Sequence, residues 1–308
     1  IDSRDQRNLY RILRSTRSHL DFSHTLEESR SRLSRGAYDM MLVDYDNLGD
    51  GGMAFLVDIA ARHPGVRILL LSQERSKDAL VSLFNAGFLT NLIAKNTEIE
   101  TEEIVVTVEK ILRGDLFGLE KYLTWGISPE AETITHSRDK DEALARLEEF
   151  GAYLGLNSRL ISLAKGVTDE FIMNAVYNAP VRRDGSPRYA HLPRSHAIEL
   201  EPHEAVDLRY ACDGRHLAIS VTDNFGSLTV ETIRKYLARC FAQGDDQISH
   251  DGGGAGMGFY FVFSSLSQFI INIDPGRRTE VIGLLDVSGS FRNFAERAKS
   301  FNVFVKDG

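Results

Sequence analysis

The sequence predicts an α/β protein of two domains, the first built on a parallel sheet with helices on both faces. Three observations carry this expectation. In the first third, short and nearly continuous apolar runs alternate with amphipathic stretches, and strands buried on both faces lose the apolar–polar alternation of a half-exposed sheet. The remainder carries a different succession of helices and strands around a glycine cluster at 252–258. A chain of 308 residues, 43% hydrophobic and 26% charged, is also long enough for about two ordinary cores.

The elements follow in chain order. Tyr38 to Val43, Val66 to Leu71 and Leu89 to Ala94 are the expected strands, ending at Asp44, Ser72 and Lys95. Helical spacing of apolar residues places helices at about 5–17, 25–34, 52–62, 75–86 and 100–113, packed on the sheet through right-handed crossovers. Residues 121–132, closing on Trp125-Gly126-Ile127-Ser128-Pro129, read as a linker between a domain at 1–120 and one at 133–308. Helices are expected at about 139–153 and 157–178. An irregular excursion rich in Pro, Arg and His runs from Arg182 to Glu204. Strands at about 205–211 and 215–222, a helix at 229–241, a helix at 257–268 and strands near 269–274 and 279–287 complete the pattern.

Composition excludes several classes. The net charge is -8 and neither half is basic, which argues against nucleic acid as a partner. No apolar run approaches the roughly 20 residues of a membrane span. Cys212 and Cys240 lack ligand spacing, so neither a disulfide scaffold nor a cysteine zinc site is expected, and a reducing cytoplasm fits. The chain opens on Ile1 rather than Met, which puts the expected native start upstream.

In an open parallel sheet, function gathers at the carboxyl ends of strands. Here those ends carry Asp44, Ser72 and Lys95, with Asp2 at the chain start and Asp46 just beyond Asp44. A carboxylate cluster suits Mg²⁺, while an ammonium and a hydroxyl stabilise a phosphoryl group on a neighbouring carboxylate. One such residue is ordinary loop decoration; the ordered set is more specific. Over about residues 1–120 it resembles a response-regulator receiver domain. The resemblance implies a doubly wound (βα)5 fold, with Asp44 as phosphoacceptor, Ser72 as switch hydroxyl, Lys95 as the active-site lysine, and Asp2, Asp44 and Asp46 around Mg²⁺. Departures are Ile1 at the first acid of the pair, Asn96 where a proline usually follows the lysine, and Leu92 at the aromatic switch position.

A second constellation lies downstream. Glu170 and Asn174, four apart, share one helix face. An Asn amide oxygen can complete a Mg²⁺ shell, and a Glu one turn earlier can orient or deprotonate an attacking hydroxyl or water. That spacing alone is more often a solvated polar stripe. An apolar strand then ends in Asp223-Asn224-Phe225-Gly226, where a carboxylate can accept from an adenine amino group, though Asp-Asn-x-Gly is also good turn chemistry. Finally, Gly252 to Gly258 opens into an apolar helix, and such glycines let backbone N–H groups close around phosphates. The glycines follow no first strand, so the dinucleotide fingerprint fails on context.

Taken in order over about residues 130–308, these features resemble the GHKL ATPase superfamily: Glu170 and Asn174 in the N box, Asp223 and Gly226 in the G1 box, and Gly254, Gly256 and Gly258 in the G2 box. The resemblance implies an α/β sandwich of the Bergerat type, ATP and Mg²⁺ as cofactors, Asn174 on the metal, Asp223 and Thr279 on adenine, and Glu170 as base. Phe225 stands where the family usually has glycine. His136 sits in a strand-like alternation, and His191, His196 and His203 lie in the excursion, so no helical hairpin offers the phosphoacceptor of a histidine kinase. Glu at position 170 is similar to the anti-sigma-factor serine kinases. The resemblance therefore implies a cytoplasmic bacterial two-component-type protein in which the receiver regulates an ATPase or ATP-dependent kinase domain. That domain phosphorylates or binds a partner signalling protein, and a homodimer is compatible with both families. The alternatives are a non-catalytic nucleotide-sensing module with a degenerate receiver, and an atypical histidine kinase acting on a partner.

Overall fold

The computed structural model describes residues 3–74, 76–95, 101–243, 255–288 and 297–306. Its frame is a mixed sheet of nine strands: β1 (Met40–Asp44), β2 (Arg67–Ser72), β3 (Asn91–Ala94), β4 (Glu130–Ile134), β5 (Val206–Cys212), β6 (His216–Asp223), β7 (Gln268–Asp274), β8 (Arg278–Asp286) and β9 (Ser300–Val305). The helices are α1 (Ser3–Ser15), α2 (Leu26–Arg35), α3 (Gly52–Arg62), α4 (Lys77–Asn85), α5 (Thr101–Arg113), α6 (Asp139–Tyr153), α7 (Ser158–Met173), α8 (Val230–Gln243) and α9 (Ala255–Ser265). The strand order is β1-β2-β3-β9-β7-β8-β6-β5-β4.

β2 shows why the first strands read as unbroken apolar runs. Leu69 and Leu71 pack with Leu9 and Leu13 of α1 and Ile104 and Val108 of α5. Ile68 and Leu70 join Phe55, Leu56 and Ile59 of α3 and Leu80, Leu83 and Phe84 of α4. Alternate residues thus enter two different cores, so both must be apolar. β1, β2 and β3 run parallel, as expected. The N-terminal part differs from a five-stranded unit: between α1 and α2, residues 18–24 form no strand, and the described residues before α5 contribute three strands.

The two halves share one sheet. β9 pairs antiparallel with β3 and parallel with β7, so the C-terminal strand lies between the two sets. Phe301 on β9 meets Phe84 of α4 edge-on at 5.4 Å, and Phe84 meets Phe263 of α9 at 6.2 Å. The stretch expected as a linker contains the start of β4, which pairs with β5. Just before it, Leu116 and Leu119 are buried against Ala218, Ile270, Ile282, Leu284 and Phe304, covering the face of the second half that α6 to α9 leave open.

Candidate functional site

Asn174, Asp223 and Thr279 line a cavity of about 270 Å³ between the sheet and helices α7, α8 and α9. Its lining is mostly apolar and includes Val221, Phe269 and Val281 from the sheet, with Asp223, Asn174, Asn178 and Thr279 among its polar residues. A cleft of this kind, with few placed polar groups, is the usual form of a small-molecule site.

Asp223 ends β6 opposite Thr279 of β8 in the antiparallel ladder. Its Oδ1 accepts the N–H groups of Phe225 at 2.9 Å and Gly226 at 3.3 Å. Burial raises its carboxyl to a pKa of about 6, against the pull of these hydrogen bonds. Gly226 has φ +58°, and a Cβ there would stand 2.1 Å from the carbonyl oxygen of Asp274. Only glycine lets this turn close against the β7–β8 connection, where Gly276 N–H donates to Gly226 O at 3.1 Å. The Phe225 ring turns toward His203, with ring centres 6.3 Å apart.

Helix α7 starts at an Asn157 cap, which accepts from Arg159 N–H, and runs on into a π-helical turn at Asn174–Asn178. Such wide turns recur at functional sites because they re-aim side chains. Asn174 Nδ2 donates to Glu170 Oε1 at 2.9 Å, and Asn178 Nδ2 donates to Asn174 Oδ1 at 2.7 Å. Asn174 Oδ1 is the atom that a Mg²⁺ would require, and Asn178 holds its amide in that orientation. Glu170 is buried. Arg194 holds it bidentately, with Nη1 at 2.9 Å from Oε2 and Nη2 at 3.2 Å from Oε1.

Gly258, in the first turn of α9, closes on the same carboxylate: a Cβ there would lie 2.0 Å from Glu170 Oε1. Gly256 also falls in the first turn of α9, whereas Gly254 lies outside the described residues. Asn174 and Asp223 thus line one cavity, and Gly258 touches Glu170 beside it.

The receiver-like residues converge elsewhere, at the carboxyl ends of β1, β2 and β3. Lys95 Nζ donates to Asp44 Oδ2 at 3.0 Å, and Asn47 Nδ2 donates to the same oxygen at 2.7 Å. Ser72 Oγ donates to Asp46 Oδ1 at 2.7 Å, and Gln73 N–H reaches both Asp46 oxygens at 3.1 and 3.0 Å. Asp46 therefore engages Ser72 and the following backbone. Asp2 lies outside the described residues. Among the described residues no group of three or more His, Cys, Asp and Glu side chains is arranged to hold a metal ion.

Sequence reasoning missed Arg194, Asn178 and Asn47. Asn178 continues the four-residue period of Glu170 and Asn174, a signal that was available. Arg194 stands 24 residues from Glu170 in an irregular stretch, where no period points to it. The excursion is nonetheless pinned. Tyr177 Oη donates to the carbonyl oxygens of Arg194 at 3.0 Å and His196 at 2.6 Å, and Arg188 pairs with the fully buried Glu204 at 2.7 Å. His191, His196 and His203 are exposed on it, and none lies on a helix of the α class.

No family model matches the chain, and no curated protein matches it.

Proposed function

We propose that the protein binds ATP in the cavity beneath α7, α8 and α9, and that the N-terminal part regulates this site as a receiver. The observation that carries the reading is the buried Asp223 in an apolar cavity, backed by a glycine turn that admits no side chain. The chemistry fits adenine: a flat apolar ring between Val221, Phe269 and Val281, with its amino group on a carboxylate. Asn174 would contribute one oxygen to Mg²⁺, the phosphates supplying others, and the ion would neutralise the phosphate charge. Glu170 would take the proton of the attacking hydroxyl, as in an anti-sigma-factor-type kinase.

Regulation has a material route. Helix α4 is the next helix after Ser72 and packs along α8, and Thr232 and Tyr236 of α8 line the cavity. A change at the Asp44–Lys95 end would thus reach the cavity wall through one helix pair. This packing supports a receiver that regulates the cavity.

The test separates binding from chemistry. Glu170→Gln should bind Mg-ATP at least as well as wild type while turnover, or phosphorylation of the partner, falls about 10²–10⁴-fold. A wild-type protein that binds ATP and phosphorylates no partner would favour the nucleotide-sensing reading, which the three hydrogen bonds already on the Glu170 carboxylate also support.

A further inference from the structure

Glu170 is the residue on which the proposed chemistry depends, and its carboxylate is heavily engaged. Oε1 accepts from both Asn174 and Arg194, and Oε2 accepts from Arg194. With two donors, Oε1 has its two lone pairs in use. Oε2 keeps one lone pair open, and a proton arriving there meets the charge of the guanidinium beside it.

We infer that Arg194 is a terminal-phosphate ligand that exchanges Glu170 for the last phosphate of a bound nucleoside triphosphate. The inference rests on the nucleotide reading above. Three observations carry it. First, the Glu170 carboxylate lies against Gly258 in the first turn of α9, an 11-residue helix whose N-terminal N–H groups favour anions. A polyphosphate seated there would set a second anion beside Glu170, and Arg194 is the cation already placed on that carboxylate. Second, a guanidinium presents the same donor fork to a phosphate as to a carboxylate, so the exchange keeps two charge-assisted bonds. Third, the backbone is anchored while the side chain is not enclosed. Tyr177 Oη holds the Arg194 and His196 carbonyls, and the Arg194 side chain remains 37% exposed.

In the transfer step, the attacking hydroxyl oxygen forms its bond to the terminal phosphorus. The bond from that phosphorus to the bridging oxygen breaks, and its electron pair leaves on the nucleoside diphosphate. The hydroxyl proton passes to Glu170 Oε2, whose one donor, Arg194, has left it. Arg194 stays on the terminal phosphate oxygens, where it offsets their charge. Arg194 thereby leaves Glu170 when a triphosphate is present, which ties the unpaired base to that nucleotide.

The experiment is calorimetric titration of the whole chain with Mg-ATP and with ADP, comparing wild type, Arg194→Ala, Arg194→Lys and Glu170→Gln. Arg194→Ala should lose about 10- to 100-fold in ATP affinity while its ADP affinity stays within about twofold of wild type. Arg194→Lys should recover part of the ATP preference, and it carries the test if the Ala variant unfolds at a lower temperature. Glu170→Gln should bind ATP more tightly with ADP unchanged, because the guanidinium is no longer held back. An ATP-to-ADP affinity ratio in Arg194→Ala equal to that of wild type would overturn the exchange and leave Arg194 as a clamp on Glu170. Failure of wild type to bind either nucleotide would remove the nucleotide reading and this inference together, a result distinct from an unchanged ratio.

Discussion

Thr279 and Glu280 are consecutive in β8 and serve opposite faces of the sheet. Thr279 lines the cavity beside Asp223. Glu280 is buried on the other face, where it accepts from Asn272 Nδ2 at 2.8 Å and from Gly118 N–H at 3.0 Å. Lys110 of α5 completes that network, donating to Asn272 Oδ1 at 2.9 Å and Tyr122 Oη at 2.7 Å, with its ammonium 4.6 Å from the Phe304 ring centre. A helix of the N-terminal part is therefore tied, through two residues, to the rung that forms the cavity.

Lys110 sets a pH dependence of stability. Burial lowers its pKa to about 7. Between that value and its ordinary 10.5, the unfolded chain holds a proton that the folded protein does not, so stability from this group rises with pH across that window. Lys110→Met orphans Asn272 Oδ1 and Tyr122 Oη, at roughly 1–3 kcal/mol per group. Its deficit against wild type should be smaller near the lower end of that window and larger near the upper end, as read by urea unfolding. A deficit independent of pH would contradict the buried ammonium.

Asp223 works in the opposite direction. Its carboxyl is raised from 3.8 to about 6, so between those values the folded state holds the extra proton. Its contribution to stability is full below 3.8 and is lost as pH rises to about 6. Asp223→Asn keeps an oxygen for the Phe225 and Gly226 N–H groups and removes this loss. Across that interval it should gain roughly 3 kcal/mol on wild type, at about 1.4 kcal/mol for each pH unit. It should also lose ATP, because its amide would face the adenine amino group donor to donor. A stabilised variant that binds ATP normally would show that the carboxylate has no part in the site.

Gly226→Ala should be strongly destabilising. Its φ of +58° costs an L-residue about 1–2 kcal/mol, and the new Cβ would meet backbone atoms of Asp274, Arg277 and Arg278 that cannot swing aside. Circular dichroism should show a melting temperature lowered by several degrees at least. An unchanged melting temperature would mean that the turn is looser than described.

Asp44 should be the phosphoacceptor of the N-terminal part. It is buried at the end of β1, with Lys95 and Asn47 on one oxygen. Treatment with a small phosphodonor should add one phosphate to wild type and none to Asp44→Asn, as read by intact mass. Equal labelling of the two would place the phosphate elsewhere.

The helices and the first three strands are legible in the sequence because their periodicity is strong. The apolar runs ending at Asp44, Ser72 and Lys95 signal strands covered on both faces, and the structure covers them so. β4 overlaps the strand-like alternation of Thr133 to Arg138 only at Thr133 and Ile134, and its Pro129-terminated approach reads as linker. β9 gives no such signal. Ser300–Val305 is a short mixed run whose role is to join β3 to β7, and pairing across more than 200 residues leaves no local trace. For the same reason the site is legible where its members share an element, as Glu170 and Asn174 do. It is not legible where a loop brings in Arg194 or where a buried network joins Lys110 to Glu280.

The central claim is an adenine site anchored on Asp223. Its most direct test is calorimetric titration of wild type and Asp223→Ala with Mg-ATP and Mg-GTP. Wild type should bind ATP and bind GTP poorly, because guanine presents a carbonyl oxygen to the carboxylate. Asp223→Ala should lose ATP affinity by about 10- to 150-fold. Equal ATP affinity in the two proteins would contradict the account.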